Sequence, residues 1–251
     1  MPNIIKKLEQ NQPTIGSWMQ LPNPSVAEIM GRSGYDWIAV DMEHGSFSLH
    51  QLPEIFRALE LGGTLPFVRV AQAQMTEIKQ ALDAGARGLI YPMIQTATQL
   101  EQAINWSFYP PRGIRGVGYS RTNGFGKYFD SYVHEESSQF MIVAQIEHIE
   151  AVEKLDEILS VSGLHAIMVG PYDLSASMGL TAQFDHPRFI EAMERIKLMT
   201  LKNNVPMGMH VVQPDEQVLK QKIAEGYRFI AYSIDAVFLY RTAQNPVGST
   251  T

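Results

Sequence analysis

The sequence contains no cysteine and no long uninterrupted hydrophobic run. The first absence excludes disulfides, zinc–thiolate sites and thiol nucleophiles. The second argues against a membrane-spanning helix, which needs roughly 18 apolar residues in succession. The first twelve residues are polar and lack the apolar stretch of a secretory signal, so we expect a cytoplasmic protein.

A surplus of basic residues is also missing. The 251 residues include 26 acidic and 20 basic side chains, for a formal net charge of −6. Proteins that bind nucleic acids or anionic membranes usually present clustered positive charge, so we expect neither partner. Hydrophobic residues make up 45% of the chain, and its length suits one domain with a sizeable core.

Short apolar runs alternate with longer amphipathic stretches along the whole chain, which predicts eight strands joined by helices. The predicted strands are Ile15–Gln20, Trp37–Asp41, Pro66–Val70, Gly88–Pro92, Met141–Ile146, Ala166–Gly170, Pro206–His210 and Phe229–Ser233.

Eight strand–helix units favour an α/β protein with a single (β/α)8 TIM barrel over residues 1–251, preceded by a short N-terminal helix. A doubly wound sheet would need a glycine-rich loop after the first strand, and the segment SWMQLPNPS has no glycine.

The longest irregular stretch is residues 109–129, which contains five glycines and two prolines. Because it comes after the fourth strand, we interpret it as a long active-site loop on the C-terminal face of the barrel. The alternative is a solvated connection. Lys127, within this loop, has no assigned role.

Two acidic residues end neighbouring strands. Glu147 follows the fifth strand and Asp173 follows the sixth, where C-terminal strand ends of a barrel carry the chemistry. Two carboxylates at one barrel mouth repel each other, and a hard divalent cation such as Mg²⁺ or Mn²⁺ would relieve that repulsion. The alternative is two surface acids that cap helices, and Asp173 could be such an N-cap.

Three further polar residues interrupt or follow apolar runs. Arg69 interrupts the apolar run FVRV. Two interpretations are open: a fixed cation beside a developing oxyanion, or one half of a structural ion pair. His44 is a candidate general base that Asp41 would orient. Metal binding by Glu43 and His44 is a less favoured alternative, because neighbours on an extended chain point in different directions. His148 and His210 have no assigned role.

Six motifs in this order resemble the HpcH/HpaI aldolase family of metal-dependent class II pyruvate aldolases. They are DMEHG at 41–45, FVRV at 67–70, YPMIQT at 91–96, YPPRGIRGVG at 109–118, QIE at 145–147 and GPYDLSASMG at 170–179. The resemblance extends over nearly the whole chain and implies a barrel of the phosphoenolpyruvate/pyruvate type.

The resemblance also implies roles for individual residues. Glu147 and Asp173 match the metal ligands of the family, for which Mg²⁺ or Mn²⁺ is expected and Co²⁺ is possible. Arg69 matches the arginine at the keto and enolate oxygen, His44 the catalytic base, and Asp41 its partner. The substrate-binding residues implied are Gln145, near the metal waters, and the turn Gly170, Pro171 and Tyr172, whose N–H groups would hold the pyruvate carboxylate.

The resemblance predicts an aldolase that cleaves or forms a 4-hydroxy-2-oxo acid from pyruvate and an aldehyde, through an enolate stabilised by the metal and Arg69. It also predicts a homo-oligomer, a hexamer or a trimer. Tyr172 and the segment GSFSLH after His44 depart from the sugar-acid aldolases, so the aldehyde stays open. Two alternatives remain: a lyase of the citrate-lyase-β or malyl-CoA type, and a non-catalytic 2-oxo-acid-binding barrel in which Tyr172 blocks the aldehyde pocket.

Overall fold

Eight parallel strands close into a barrel in the order of the sequence. The structure is a computed structural model that describes residues 4–136 and 139–245. The predicted barrel is confirmed, and every strand end lies within one residue of its predicted position. Residues 1–3, 137–138 and 246–251 of the predicted domain lie outside the described residues. The strands are β1 Thr14–Met19, β2 Trp37–Asp41, β3 Leu65–Arg69, β4 Gly88–Tyr91, β5 Met141–Ile146, β6 Ala166–Val169, β7 Met207–Val211 and β8 Phe229–Ile234.

Helices connect the strands on the outside of the barrel. Within the described residues, none of them is long and apolar enough to cross a membrane. The α-helices are α1 Ile4–Glu9, α2 Pro24–Gly31, α3 Leu52–Leu61, α4 Met75–Ala84, α5 Ala97–Ser107, α6 Phe129–Ser131, α7 Ile149–Glu153, α8 Leu155–Leu159, α9 Pro171–Ser177, α10 Pro187–Asn203, α11 Glu216–Ala224 and α12 Asp235–Thr242.

Side chains on each strand alternate between the barrel interior and the helix layer. On β2, Ile38 and Val40 pack against the helices, whereas Trp37 and Ala39 belong to the interior cluster. The same alternation places Asp41, the last residue of β2, on the interior side at the C-terminal end. The strand pattern therefore sorts apolar residues into two cores and directs the terminal polar residues into the mouth of the barrel.

Stacked aromatic rings fill the N-terminal end of the interior. The rings of Trp37 and Phe229 are 4.3 Å apart and nearly parallel, and Phe67 stacks on Trp37 at 5.5 Å. Only glycine fits beside these rings, since a Cβ on Gly16 would lie 2.1 Å from the Trp37 ring and one on Gly88 would lie 2.3 Å from the Phe67 ring. The short helix α1 contributes Ile4 and Leu8 to the same cluster, and so closes this end of the barrel.

The segment 109–129 does not lie over the C-terminal mouth, so its predicted position is wrong. The segment follows α5, which itself lies between β4 and the segment. Each helix of such a barrel runs back toward the N-terminal end of the strands, so the segment begins at that end. Arg115 pairs with Asp83 at 2.6 Å, and Arg121 donates to the carbonyl of Ala84. These contacts hold the segment along the C-terminal half of α4. Lys127 is exposed and lies 5.0 Å from the Tyr128 ring.

Candidate active site

Polar side chains line a cavity of about 300 Å³ at the C-terminal end of the barrel. Among the described Lys and Arg residues, only Arg69 lines this cavity, and none of its lining comes from the segment 109–129. A Schiff-base lysine is therefore absent from the described lining. The lining residues are Trp18, Gln20, Asp41, His44, Arg69, Gln145, Met168, Val169, Gly170, Pro171, Tyr172, Asp173, His210, Val212 and Ile234.

Arg69 is held rigidly at the end of β3. Its Nε and Nη2 donate to the two carboxylate oxygens of Asp41 at 2.9 and 2.7 Å, and its Nη1 lies 3.1 Å from Glu43 Oε2. The guanidinium also lies over the ring of Trp18 at 4.5 Å. Such a bidentate pair fixes both position and orientation. The guanidinium is therefore preorganised before any substrate arrives.

Asp41 pairs with Arg69, and no hydrogen bond joins its carboxylate to the imidazole of His44 among the described residues. Its role as the partner of His44 stays a prediction. The Asp41 carboxylate is saturated by Arg69, by Gln20 Nε2 at 2.9 Å, and by the backbone N–H groups of Glu43 and His44 at 3.1 and 3.2 Å. Burial opposes ionisation, but the hydrogen bonds and charge of Arg69 bring the pKa of Asp41 below its ordinary value.

His44 stands at the rim of the cavity, with 62% of its side chain exposed. Its Nε2 is 4.0 Å from Glu43 Oε2, so the two side chains approach each other instead of diverging. The imidazole is therefore free to meet a substrate, and Glu43 is the acidic group beside it.

Glu147 and Asp173 lie at the same side of the mouth, as expected from their adjacent strands. Glu147 is buried, whereas Asp173 is exposed in the first turn of α9, whose N-cap is Gly170 and not Asp173. Burial, together with the charges of Glu43 and Asp173, raises the pKa of Glu147 to about 7, despite hydrogen bonds from the Met93 N–H and from Gln145. The negative charges of Glu43 and Asp173 therefore oppose ionisation of Glu147.

The surroundings of Glu147 leave room and free electron pairs for a cation. Gln145 Nε2 donates to Glu147 Oε2, while Gln145 Oε1 is buried without a hydrogen-bond partner. A Cβ on Gly170 would lie 2.8 Å from Glu147 Oε2, so glycine keeps this space open. An all-oxygen donor set of this kind suits a hard divalent ion.

Within the described ranges, no three histidine, aspartate or glutamate side chains are arranged to hold a metal ion. Two carboxylate ligands would leave coordination positions for water and for a chelating substrate, as is usual for Mg²⁺ in enzymes. The residues present therefore fit a catalytic metal site better than a structural one.

The turn that begins α9 offers fewer donors than the sequence resemblance implies. The N–H of Gly170 already donates to the carbonyl of Ile146 at 3.1 Å, and Pro171 has no N–H. The N–H groups of Tyr172 and Asp173, in the first turn of α9, have no acceptor within the helix. The predicted carboxylate site is therefore narrowed to the N–H groups of residues 172 and 173.

Tyr172 forms part of the cavity rim and does not plug the cavity. Its side chain is 57% exposed and packs edge-on against Phe184, with ring centroids 5.0 Å apart. This position gives no support to the alternative in which Tyr172 blocks the aldehyde pocket.

Several functional candidates escaped the sequence interpretation. Glu43 was considered only as a metal ligand paired with His44, yet it contacts Arg69 and adds charge beside Glu147. Burial raises the pKa of Glu43, with Arg69 opposing. Gln20 holds Asp41, and His210 lines the cavity. Strand alternation could have identified His210, because it lies two residues after Gly208 on the interior face of β7.

Comparison with known proteins identifies the family to which this chain is related. The sequence model of a family described as HpcH/HpaI aldolase/citrate lyase matches residues 14–242. The chain is similar to a hydroxypyruvate/pyruvate aldolase of Roseobacter denitrificans, with 33% identity over 97% of this chain and 95% of the relative. It is also similar to a 4-hydroxy-2-oxovalerate aldolase of Novosphingobium aromaticivorans, with 36% identity over 91% of this chain and 87% of the relative.

A solved structure gives the same result for the fold. An HpcH/HpaI aldolase/citrate lyase family protein from Burkholderia cenocepacia J2315 superposes with a TM-score of 0.90. It shares 31% sequence identity, and the match covers 96% of each chain.

Proposed function

Because this chain belongs to the HpcH/HpaI aldolase/citrate lyase family, we propose that it is a divalent-metal-dependent pyruvate aldolase. It would cleave, or form by the reverse reaction, a 4-hydroxy-2-oxo acid from pyruvate and an aldehyde. The observation that carries this proposal is the convergence of three residues at the C-terminal mouth of the barrel. Asp173 and the preorganised Arg69 line the cavity, and the charge of Asp173 acts on the buried Glu147.

The chain's own residues provide a binding site for the 2-oxo acid. The guanidinium of Arg69 would donate to the 2-keto oxygen, where negative charge collects when the C3–C4 bond breaks. A fixed donor in this position is worth about 3–4 kcal/mol of transition-state stabilisation. Tyr172 and Asp173 line the same cavity, and their N–H groups would bind the carboxylate.

Glu147 and Asp173 would hold the divalent ion, with Gln145 beside it. When bound, the ion would polarise the keto group and neutralise part of the developing charge. The ion would also relieve the repulsion that raises the pKa of Glu147. Mg²⁺ and Mn²⁺ suit these ligands, and Co²⁺ is a further candidate.

His44 would move the proton. In the cleavage direction its imidazole takes the proton of the 4-hydroxyl group, and the electrons of the C3–C4 bond pass to the enolate oxygen near Arg69. In the direction of addition the imidazole returns that proton to the new alkoxide. The exposed position of His44 at the rim allows contact with the aldehyde half of the substrate.

The predicted alternative of a citrate-lyase-β or malyl-CoA type lyase fits less well, because both curated relatives described above are named as aldolases over nearly their full lengths. The homo-oligomer stays a prediction, and sedimentation equilibrium of the purified protein would measure its size.

A metal-depletion assay tests the proposal. The purified protein is stripped with a chelator and offered a 4-hydroxy-2-oxo acid, and released pyruvate is followed with lactate dehydrogenase and NADH. We expect no cleavage without metal, and recovery on addition of Mg²⁺ or Mn²⁺. Full activity after verified metal removal would refute the proposed chemistry.

A further inference from the structure

His210 occupies the barrel interior at the level of the candidate active site. On β7, Val211 packs into the core under the helices, whereas His210 lines the same cavity as Arg69 and Asp173. Its ring meets the ring of Trp18 edge-on, with centroids 5.9 Å apart. His210 therefore lies on the wall of the cavity formed by β7, β8 and β1. Asp173, which follows β6, lies on the adjacent side.

The backbone fixes the hydrogen-bonding state of this imidazole. Its Nε2 is 3.2 Å from the carbonyl oxygen of Ser233, which can only accept, so Nε2 carries the proton. Ser233 has a φ of 58°, and Ser17 Oγ holds the same carbonyl at 3.1 Å. Burial lowers the pKa of His210 to about 4, with the Ser233 hydrogen bond opposing and the charge of Arg69 assisting. The ring is therefore neutral near pH 7, and Nδ1 is an acceptor.

Nδ1 of His210 has no hydrogen-bond partner among the described residues, although the ring lines the cavity. Within the same described ranges, Trp18 Nε1 and Ser233 Oγ are buried without partners. An apolar ligand would leave Nδ1 of His210 unsatisfied, which costs binding free energy. The wall therefore suits a substrate portion that carries a hydroxyl group.

The charges around the cavity argue against a carboxylate on that portion. Arg69 is the one lysine or arginine among the described lining residues, and Asp41 and Glu43 already engage it. A second carboxylate would meet a neutral imidazole and no free lysine or arginine. The wall thus favours an uncharged ligand.

We propose that His210 is a specificity-determining residue for the aldehyde, and that its Nδ1 accepts a hydrogen bond from a hydroxyl group of an uncharged hydroxyaldehyde. This inference rests on the proposed aldolase function and names the substrate class of the same site.

The test compares two aldehydes of nearly equal size in aldol addition to pyruvate. Glycolaldehyde carries a hydroxyl where propanal carries a methyl group, and the readout is the ratio of their kcat/KM values. We expect His210→Phe to lower this ratio about tenfold, the effect of one lost hydrogen bond. His210→Gln keeps a donor for the Ser233 carbonyl and an amide oxygen that accepts hydrogen bonds, so it should retain more of the ratio than His210→Phe.

His165→Phe is the matched control, since it removes a partly buried imidazole that accepts from the Ile142 N–H, near the start of β6. This variant should leave the ratio unchanged even if it lowers stability. Equal ratios in wild-type, His210→Phe and His210→Gln proteins would overturn the inference. A wild-type preference for succinic semialdehyde, which ends in a carboxylate, over glycolaldehyde would overturn it as well.

The proposed function has a separate readout. Wild-type protein with metal should exchange the methyl protons of pyruvate in D₂O without any aldehyde. Exchange without aldol product from glycolaldehyde would overturn the assignment of the aldehyde class alone. Absence of both exchange and product would overturn the proposed function, and the assignment with it.

Discussion

The two ends of the barrel interior have opposite chemistry. At the N-terminal end, Trp37, Phe67 and Phe229 stack in a closed apolar cluster. At the C-terminal end, Asp41 and Arg69 form a buried ion pair beside an open cavity. Burial of apolar rings stabilises the fold, whereas buried charges that await a ligand add little stability. We therefore expect changes at one end to affect stability and changes at the other to affect catalysis.

The largest expected effect is that of Glu147→Gln. The amide keeps the shape of the side chain but removes the negative charge that would hold the metal. We expect kcat/KM to fall about a thousandfold, or about 4 kcal/mol. Thermal unfolding of the metal-free variant should occur at the wild-type temperature or above it, because a buried carboxyl group is removed. A large loss of stability with little loss of activity would show that Glu147 serves the fold and not catalysis.

The second prediction concerns His44→Ala. Loss of the general base should lower kcat by about 10²–10⁴-fold, with little change in stability because the side chain is exposed. His50→Ala is the matched control, since His50 is exposed nearby and does not line the cavity. Unchanged steady-state kinetics in His44→Ala would remove this residue from the mechanism.

A double-mutant cycle separates the two roles considered for Asp41. Arg69→Ala should lower kcat by about 10²–10³-fold. If Asp41 acts by positioning Arg69, then Asp41→Asn should cost little further activity in the Arg69→Ala background. Independent, multiplicative losses in kcat would restore the idea that Asp41 acts on His44. Arg115→Ala, which breaks another buried ion pair outside the cavity, should lower stability and spare kcat.

Trp37→Ala tests the role of the N-terminal end of the barrel interior. This fully buried side chain packs against both Phe67 and Phe229, so its loss should destabilise the protein by about 3–5 kcal/mol. The kcat of the folded fraction should not change. Urea unfolding measures the first quantity, and Trp106→Ala, at a half-buried position on α5, should cost less. A fall in kcat without a fall in stability would show that the aromatic cluster serves catalysis.

The smallest effect is a pH dependence that comes from His210. Its pKa is about 4 in the folded protein and about 6.5 in the unfolded chain, so the unfolded state binds more protons between these values. Stability from this group is therefore present above pH 6.5 and is lost as the pH falls toward 4, by at most about 3 kcal/mol. His210→Phe should remove this part of the acid sensitivity. An identical pH profile of unfolding in the variant would show that His210 is not buried in neutral form.

The strand pattern predicted the barrel well because each strand is a short apolar run between helices, with ends marked by polar residues. Only the segment 109–129 was misplaced, since its glycines show irregular backbone but not which end of the barrel it occupies. Their positions at or near strand ends identified the two carboxylates and Arg69 as candidates, and the family resemblance implied their roles. Side-chain pairing was less predictable: the spacing between Asp41 and His44 is compatible with a contact, yet Arg69 on the next strand is the better partner.

Pyruvate methyl-proton exchange in D₂O, followed by NMR with metal-stripped protein, tests the role of the two carboxylates most directly. Wild-type protein should exchange these protons only after Mg²⁺ or Mn²⁺ is added, and Glu147→Gln should exchange them at no more than about a thousandth of that rate. Rapid exchange by the metal-free wild type, or by Glu147→Gln, would contradict the proposal that Glu147 and Asp173 act through a shared divalent ion.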